Sequence, residues 1–168
     1  MRSPLAHINA QEFSVQDVIT DRDFTKSDLD LIFNLATHLK ASPRSYVHAL
    51  EGRQLALLFE KPSLRTRATF EVAMTSLGGH AIYLDHARPR LGEREAIKDI
   101  ARNLERWVDG IAARTFAHSA VIELCRERFH SGYQCAHGSG ASLPGTRGLL
   151  YVMRTIRPRA GAQTGVCR

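Results

Sequence analysis

Residues 55–71 read LALLFEKPSLRTRATFE, and this stretch decides the fold. The apolar run 55–59 has the length and bounds of a buried strand. Pro62 has no N–H and disfavours helix at Lys61, so the extended segment ends there. Ser63 is a good N-cap residue, and the pattern after it is helical. The prediction is strand, tight turn, helix. The free N–H groups of Leu64, Arg65 and Thr66 then point out of the helix end, where the macrodipole places roughly half a positive charge. Two hydroxyls (Ser63, Thr66) and two guanidinium groups (Arg65, Arg67) share that turn. Together they are the parts of a phosphate cradle built without a glycine loop. The plain alternative is a capped helix with surface arginines; the strand and Glu-Lys-Pro turn before it favour the cradle.

Upstream, residues 1–23 are polar and mixed and read as an extended arm with one short turn. Thr25, with Asp28 three residues on, forms a capping box. Leu29, Ile32, Phe33, Leu35, Ala36 and Leu39 give the helix it opens an apolar stripe, and Pro43 ends that helix. Leu50-Glu51-Gly52 turns into the first strand.

Downstream, the helix after Ser63 is expected to run to about Leu77 and stop at Gly78-Gly79, with Phe70, Ala73, Met74 and Leu77 facing the core. Residues 80–85 (HAIYLD) read as a second strand and residues 86–93 as a loop. Residues 94–107 read as an amphipathic helix with Ile97, Ile100, Ala101, Leu104 and Trp107 inward. Residues 108–114 read as a third strand, and a fourth helix starts at Ala117. This alternation predicts the α/β class, a parallel sheet flanked by helices. Ligands of such sheets bind beyond the C-terminal strand ends. Ser63, the loop 86–95 and Arg114-Thr115 all fall at those ends.

The segment FEKPSLRTRATFE closely resembles the carbamoyl-phosphate signature of the aspartate/ornithine transcarbamylase family, and of its ornithine transcarbamylase branch in particular. Aspartate-specific relatives usually lack the lysine that here is Lys61. The resemblance runs from about residue 24 to about residue 124 and implies a single carbamoyl-phosphate-binding domain there. It implies that Ser63, Leu64 (through its N–H), Arg65, Thr66 and Arg114 hold carbamoyl phosphate. Arg65, Thr66 and Arg114 would also polarise the carbamoyl carbonyl, which makes them the catalytic set. Arg90 stands where the family commonly has Gln, which leaves that ligand open. Arg67, Glu95 and Asp99 would support the site, although Glu95 and Asp99 read equally as charge bias at a helix start.

Positioning and electrostatics would carry the rate, so no metal, cofactor or covalent nucleophile is required. The implied reaction moves the carbamoyl group to the side-chain amine of ornithine, giving citrulline and phosphate in arginine metabolism. The resemblance also implies a homotrimer in which a loop of one subunit completes the neighbour's site. It implies a second domain for the amino acid, absent from these residues, so the sequence as it stands is expected to have no turnover and negligible ornithine binding. Another amine acceptor, such as aspartate, and a non-catalytic phosphate-binding domain are the alternatives.

Composition divides the chain near residue 124. Of its 23 basic and 17 acidic side chains, seven arginines and one acid (Glu127) lie in residues 125–168, so the net charge of +6 belongs entirely to that segment. All three cysteines and seven of the twelve glycines lie there too. Cys125, Cys135 and Cys167 lack paired C-x-x-C spacing, so zinc is not expected. Gly138-Ser139-Gly140 follows no strand and is not a dinucleotide fingerprint. Where the family continues with a strand and His-Pro-Cys-Gln, this tail shows neither. Back-translated from His130 with codons chosen to fit and read one nucleotide later, it permits IPVINALTDLEHPCQALAD, the continuation that the family resemblance implies. The expectation is a single-base frameshift near codon 125, with residues 125–168 a poorly ordered, non-family tail. A basic tail that binds nucleic acid is the rival reading. No apolar run approaches a membrane span and the N-terminus has no signal-like core, so cytoplasm is the expected compartment.

Overall fold

The computed structural model describes residue 14 and residues 17–87 and 89–127. Most of the predicted arm, and the tail from residue 128 with Cys135, Cys167 and the shifted-frame segment, lie outside the described residues. The elements are α1 (Lys26–Ala41), β1 (Gln54–Phe59), α2 (Leu64–Ser76), β2 (His80–Asp85), α3 (Ile97–Trp107), β3 (Gly110–Arg114) and α4 (His118–Glu127). Single 3-10 turns at Asp21–Asp23 and Pro43–Tyr46 flank α1. No helix among the described residues is long and apolar enough to cross a membrane.

The strands form a parallel sheet in the order β2-β1-β3. Phe59 pairs with Asp85 on one side and with Arg114 on the other, so the three C-terminal ends are level. The chain steps to one side of β1 for β2 and to the other side for β3. The C-terminal ends of β1 and β3 therefore flank a topological switch point.

β1 is buried on both faces, which explains its unbroken apolar run. Ala56 and Leu58 join Ile111 and Ala113 beneath Ile97, Ala101 and Leu104 of α3 and Ala120 and Leu124 of α4. Leu55, Leu57 and Phe59 join Ala112 beneath Met74 and Phe70 of α2. Full burial of Leu57, Leu58 and Phe59 stabilises the fold by about 1.5–3 kcal/mol apiece. Gly78 ends α2 at φ 84°, where a Cβ would come within 2.5 Å of the Val47 carbonyl oxygen. The Gly78 N–H reaches the Thr75 carbonyl and the Gly79 N–H the Met74 carbonyl, which together satisfy the last helical turn.

The structure corrects several expectations. The α1 helix and its capping box form as predicted, but its apolar stripe is not core: Leu29 and Phe33 are 40 % and 67 % exposed. The residue α1 buries is Asp28. On α2, Ala73 is exposed, because Met74 and the half-buried Phe70 occupy the narrow face turned to the sheet. Trp107 is 66 % exposed rather than inward. It is the last residue of α3, and Val108 leaves the helix to take the core position instead. α3 starts at Ile97, not at residue 94, because the preceding residues are held in a turn. Glu93 accepts the Arg90 N–H, Gly92 takes φ 85°, and Leu91 is pulled into the core. α4 runs on past residue 124 to Glu127, and Cys125 is buried against Val121 and Ile19.

Candidate functional site

The switch point gathers three chain segments: residues 60–66 after β1, residues 86–96 after β2 and residues 114–116 at the end of β3. The sheet bonding continues past the strands. The Glu60 N–H donates to the Arg114 carbonyl at 2.8 Å, and the His86 N–H donates to the Phe59 carbonyl at 2.9 Å. The loops are thereby fixed to the strands that deliver them.

Ser63 holds the N-cap position of α2 in extended backbone, but its hydroxyl does not cap the helix. It donates instead to Thr66 Oγ1 at 2.8 Å. The expected capping bond is absent, so the first-turn amides of Leu64, Arg65 and Thr66 receive no side-chain acceptor among the described residues. The Leu64 side chain is 83 % exposed, leaving its N–H as the only part with a chemical role here. Arg65 is exposed, and no side-chain hydrogen bond or ion pair engages its guanidinium among the described residues.

Arg114 reaches across from β3 to this turn, its Nη1 donating to the Pro62 carbonyl at 3.2 Å. Its Nε is buried and has no hydrogen-bond partner among the described residues. A buried donor left unpaired costs about 1–3 kcal/mol, which an acceptor entering the site would recover. The helix end, the unused amides and the unpaired guanidinium nitrogen all favour an anion.

The other predicted residues divide. Arg67 is occupied elsewhere: its Nε donates to Glu71 at 2.8 Å and its guanidinium carbon lies 4.0 Å from the Tyr83 ring centroid. It braces α2 against β2. Arg90 lines two open clefts, one of about 480 Å³ with Asp85, His86 and Glu95, the other of about 470 Å³ with Glu60, Pro62 and Phe116. Glu95 lies ahead of α3 rather than within it, at 3.5 Å from Asn103 Nδ2. Asp99 sits half-buried in the first turn of α3 and lines neither cleft. His86 lines the first cleft.

Sequence reasoning missed Glu60, Lys61 and Phe116 as side chains of the site. Glu60 is 4 % exposed and bonds two loops at once. The half-exposed Phe116 ring carries Lys61 Nζ at 4.5 Å and Arg90 at 4.7 Å from its centroid, and the ring and Arg90 line the second cleft. The available signal was position: these residues directly follow the strand ends that flank the switch point.

Residues 16–135 match the profile of the aspartate/ornithine carbamoyltransferase carbamoyl-phosphate-binding domain. The chain belongs to this family. It is 50 % identical over 111 residues to the ornithine carbamoyltransferase of Thermus thermophilus, a span covering 66 % of this chain and 36 % of that protein. The crystal structure of the T. thermophilus ornithine carbamoyltransferase superposes with a TM-score of 0.55 at 54 % identity, over 60 % of this chain and 35 % of that one. The Pyrococcus furiosus ornithine carbamoyltransferase superposes with a TM-score of 0.63 at 40 % identity, over 67 % and 36 %. The chain thus spans about a third of the length of these carbamoyltransferases, and its sheet flanked by helices is the fold of their N-terminal domain.

Proposed function

We propose that this chain forms the carbamoyl-phosphate half of an ornithine carbamoyltransferase. The observation that carries the reading is the buried, unpaired Nε of Arg114, placed beside the uncapped start of α2 through its bond to Pro62. In this reading the amides of Leu64, Arg65 and Thr66, the hydroxyls of Ser63 and Thr66, and the guanidinium groups of Arg65 and Arg114 hold the phosphate. Arg65, Thr66 and Arg114 also polarise the carbamoyl oxygen. The ornithine side-chain amine attacks the carbonyl carbon, an N–C bond forms, and the carbonyl electrons move onto the oxygen. Collapse of that tetrahedral state breaks the C–O bond to phosphate, and the nitrogen passes its proton to the departing phosphate. The donors around the phosphate stabilise the charge gained by the leaving group, which requires no cofactor. Arg90, held on Phe116, adds a cation at the mouth of the site, Arg67 and Glu95 act only through the elements they brace, and Asp99 adds negative charge in the first turn of α3.

The proposal includes a homotrimer, a cytoplasmic location and an origin of residues 125–168 in a shifted reading frame. Sedimentation, cell fractionation and genomic sequencing around codon 125 test these in turn. The 168 residues alone are expected to bind carbamoyl phosphate without turning it over, because the matched relatives are about three times as long as the matched span. Radiolabelled carbamoyl phosphate with ornithine gives the decisive assay. Retention of label without citrulline supports the reading. Citrulline formed at an enzymic rate refutes the half-site assignment, and absence of carbamoyl-phosphate binding refutes the site itself.

A further inference from the structure

Glu60 is an oddity of the sheet. It follows five buried residues of β1, is itself 4 % exposed, and takes part in no ion pair among the described residues. A buried carboxylate is costly unless its oxygens are hydrogen-bonded. Here Oε1 accepts the Leu91 N–H at 3.1 Å, and Oε2 accepts the Phe116 N–H. The two donors lie 31 and 56 residues away, on the loops after β2 and β3. The neighbouring cation does not take the carboxylate, because Lys61 Nζ lies over the Phe116 ring.

We propose that Glu60 is a positioning residue, whose carboxylate ties the Leu91 loop and the Phe116 turn to the end of β1 and so fixes where Arg90 and Arg114 stand. Leu91 adjoins Arg90, and Phe116 lies two residues beyond Arg114. Three bonds then extend the β1–β3 pairing beyond the sheet: Glu60 N–H to the Arg114 carbonyl, Phe116 N–H to Glu60 Oε2, and Arg114 Nη1 to the Pro62 carbonyl. A carboxylate is required because it offers two acceptors and no donor. Gln at this position keeps the shape, but its NH₂ would confront one of the two amides, so one tie is lost.

This inference rests on the anion-site reading, and the experiment separates the two. The full chain, wild type and Glu60→Gln, is titrated with inorganic phosphate by calorimetry, with thermal melting and amide hydrogen exchange measured in parallel. The expected result is phosphate affinity about tenfold lower in Glu60→Gln, the scale of one charge-assisted bond, together with a lowered melting temperature, because one buried amide loses its acceptor. The Leu91 or Phe116 amide loses exchange protection in the variant. A purely structural role would lower the melting temperature and leave the affinity of the folded protein unchanged, which overturns the proposal. Should the variant not fold, the wild type alone decides: both amides protected supports the tie, and both exchanging freely removes it. If the wild type does not bind phosphate, the anion-site reading fails and the positioning role falls with it.

Discussion

The two ends of the sheet handle their polar groups in opposite ways. At the N-terminal end, Asp109 accepts the Gln54 N–H and Arg53 Nη1, each at 2.9 Å, and returns its own N–H to the Gln54 carbonyl at 2.8 Å. The His80 N–H bonds the Arg53 carbonyl at 2.9 Å, so β2 is tied in as well. Donors and acceptors there satisfy one another. At the C-terminal end, Glu60 performs a similar tie, but the donors around it are not used up. Among the described residues Arg114 Nε is unpaired, Arg65 is unengaged, and the first turn of α2 has no side-chain cap. One end is closed; the other leaves donors unengaged among the described residues, as the proposed phosphate site requires. An acid near a strand end is therefore uninformative until its neighbours' remaining capacity has been counted.

The contrast breaks most visibly at Arg114. Arg114→Ala removes a cation from the open end and is expected to weaken phosphate binding by about 10- to 100-fold, the loss of one or two charge-assisted bonds. The melting temperature should hardly change, and calorimetry on the full chain reads both. If binding is unchanged, the open end is not the anion site.

Asp109→Ala should do the reverse at the closed end. It strands the Gln54 N–H and the Arg53 guanidinium, at a cost of about 2 kcal/mol of stability. Urea unfolding should show this as a lower midpoint with the same slope, while phosphate affinity of the folded protein stays as in the wild type. A matching drop in affinity would mean that the two ends are not independent.

The smallest effect is expected at Asp28, away from either end. Bonds from the Ser14 and Thr25 hydroxyls, and then from their amides, hold its carboxyl well below the usual carboxylate range. The unfolded chain therefore binds this proton more readily than the native one, so the stabilisation is complete at neutral pH and fades as pH falls through and below about 4. Asp28→Asn should melt below wild type at pH 7, with the gap narrowing in acid. A gap independent of pH would assign the effect to α1 capping rather than to the charge.

The sequence alone determined the order of the elements, the sheet class and the strand–turn–helix at Ser63. Those are local matters: a five-residue apolar run, a proline that forbids helix before it, and a capping box each act within a few residues. It also marked the strand ends where Ser63, Arg90 and Arg114 would meet. Only the tertiary structure decided the order β2-β1-β3, and with it the switch point between β1 and β3. Only there does Glu60 meet Leu91 and Phe116, and only there does Phe116 hold Lys61 and Arg90. The partly exposed α1 stripe and the outward Trp107 teach the same point, since periodicity fixes which side chains share a face but not how fully that face is covered. Burial and hydrogen-bond capacity depend on residues far apart in the chain, and no local pattern encodes them.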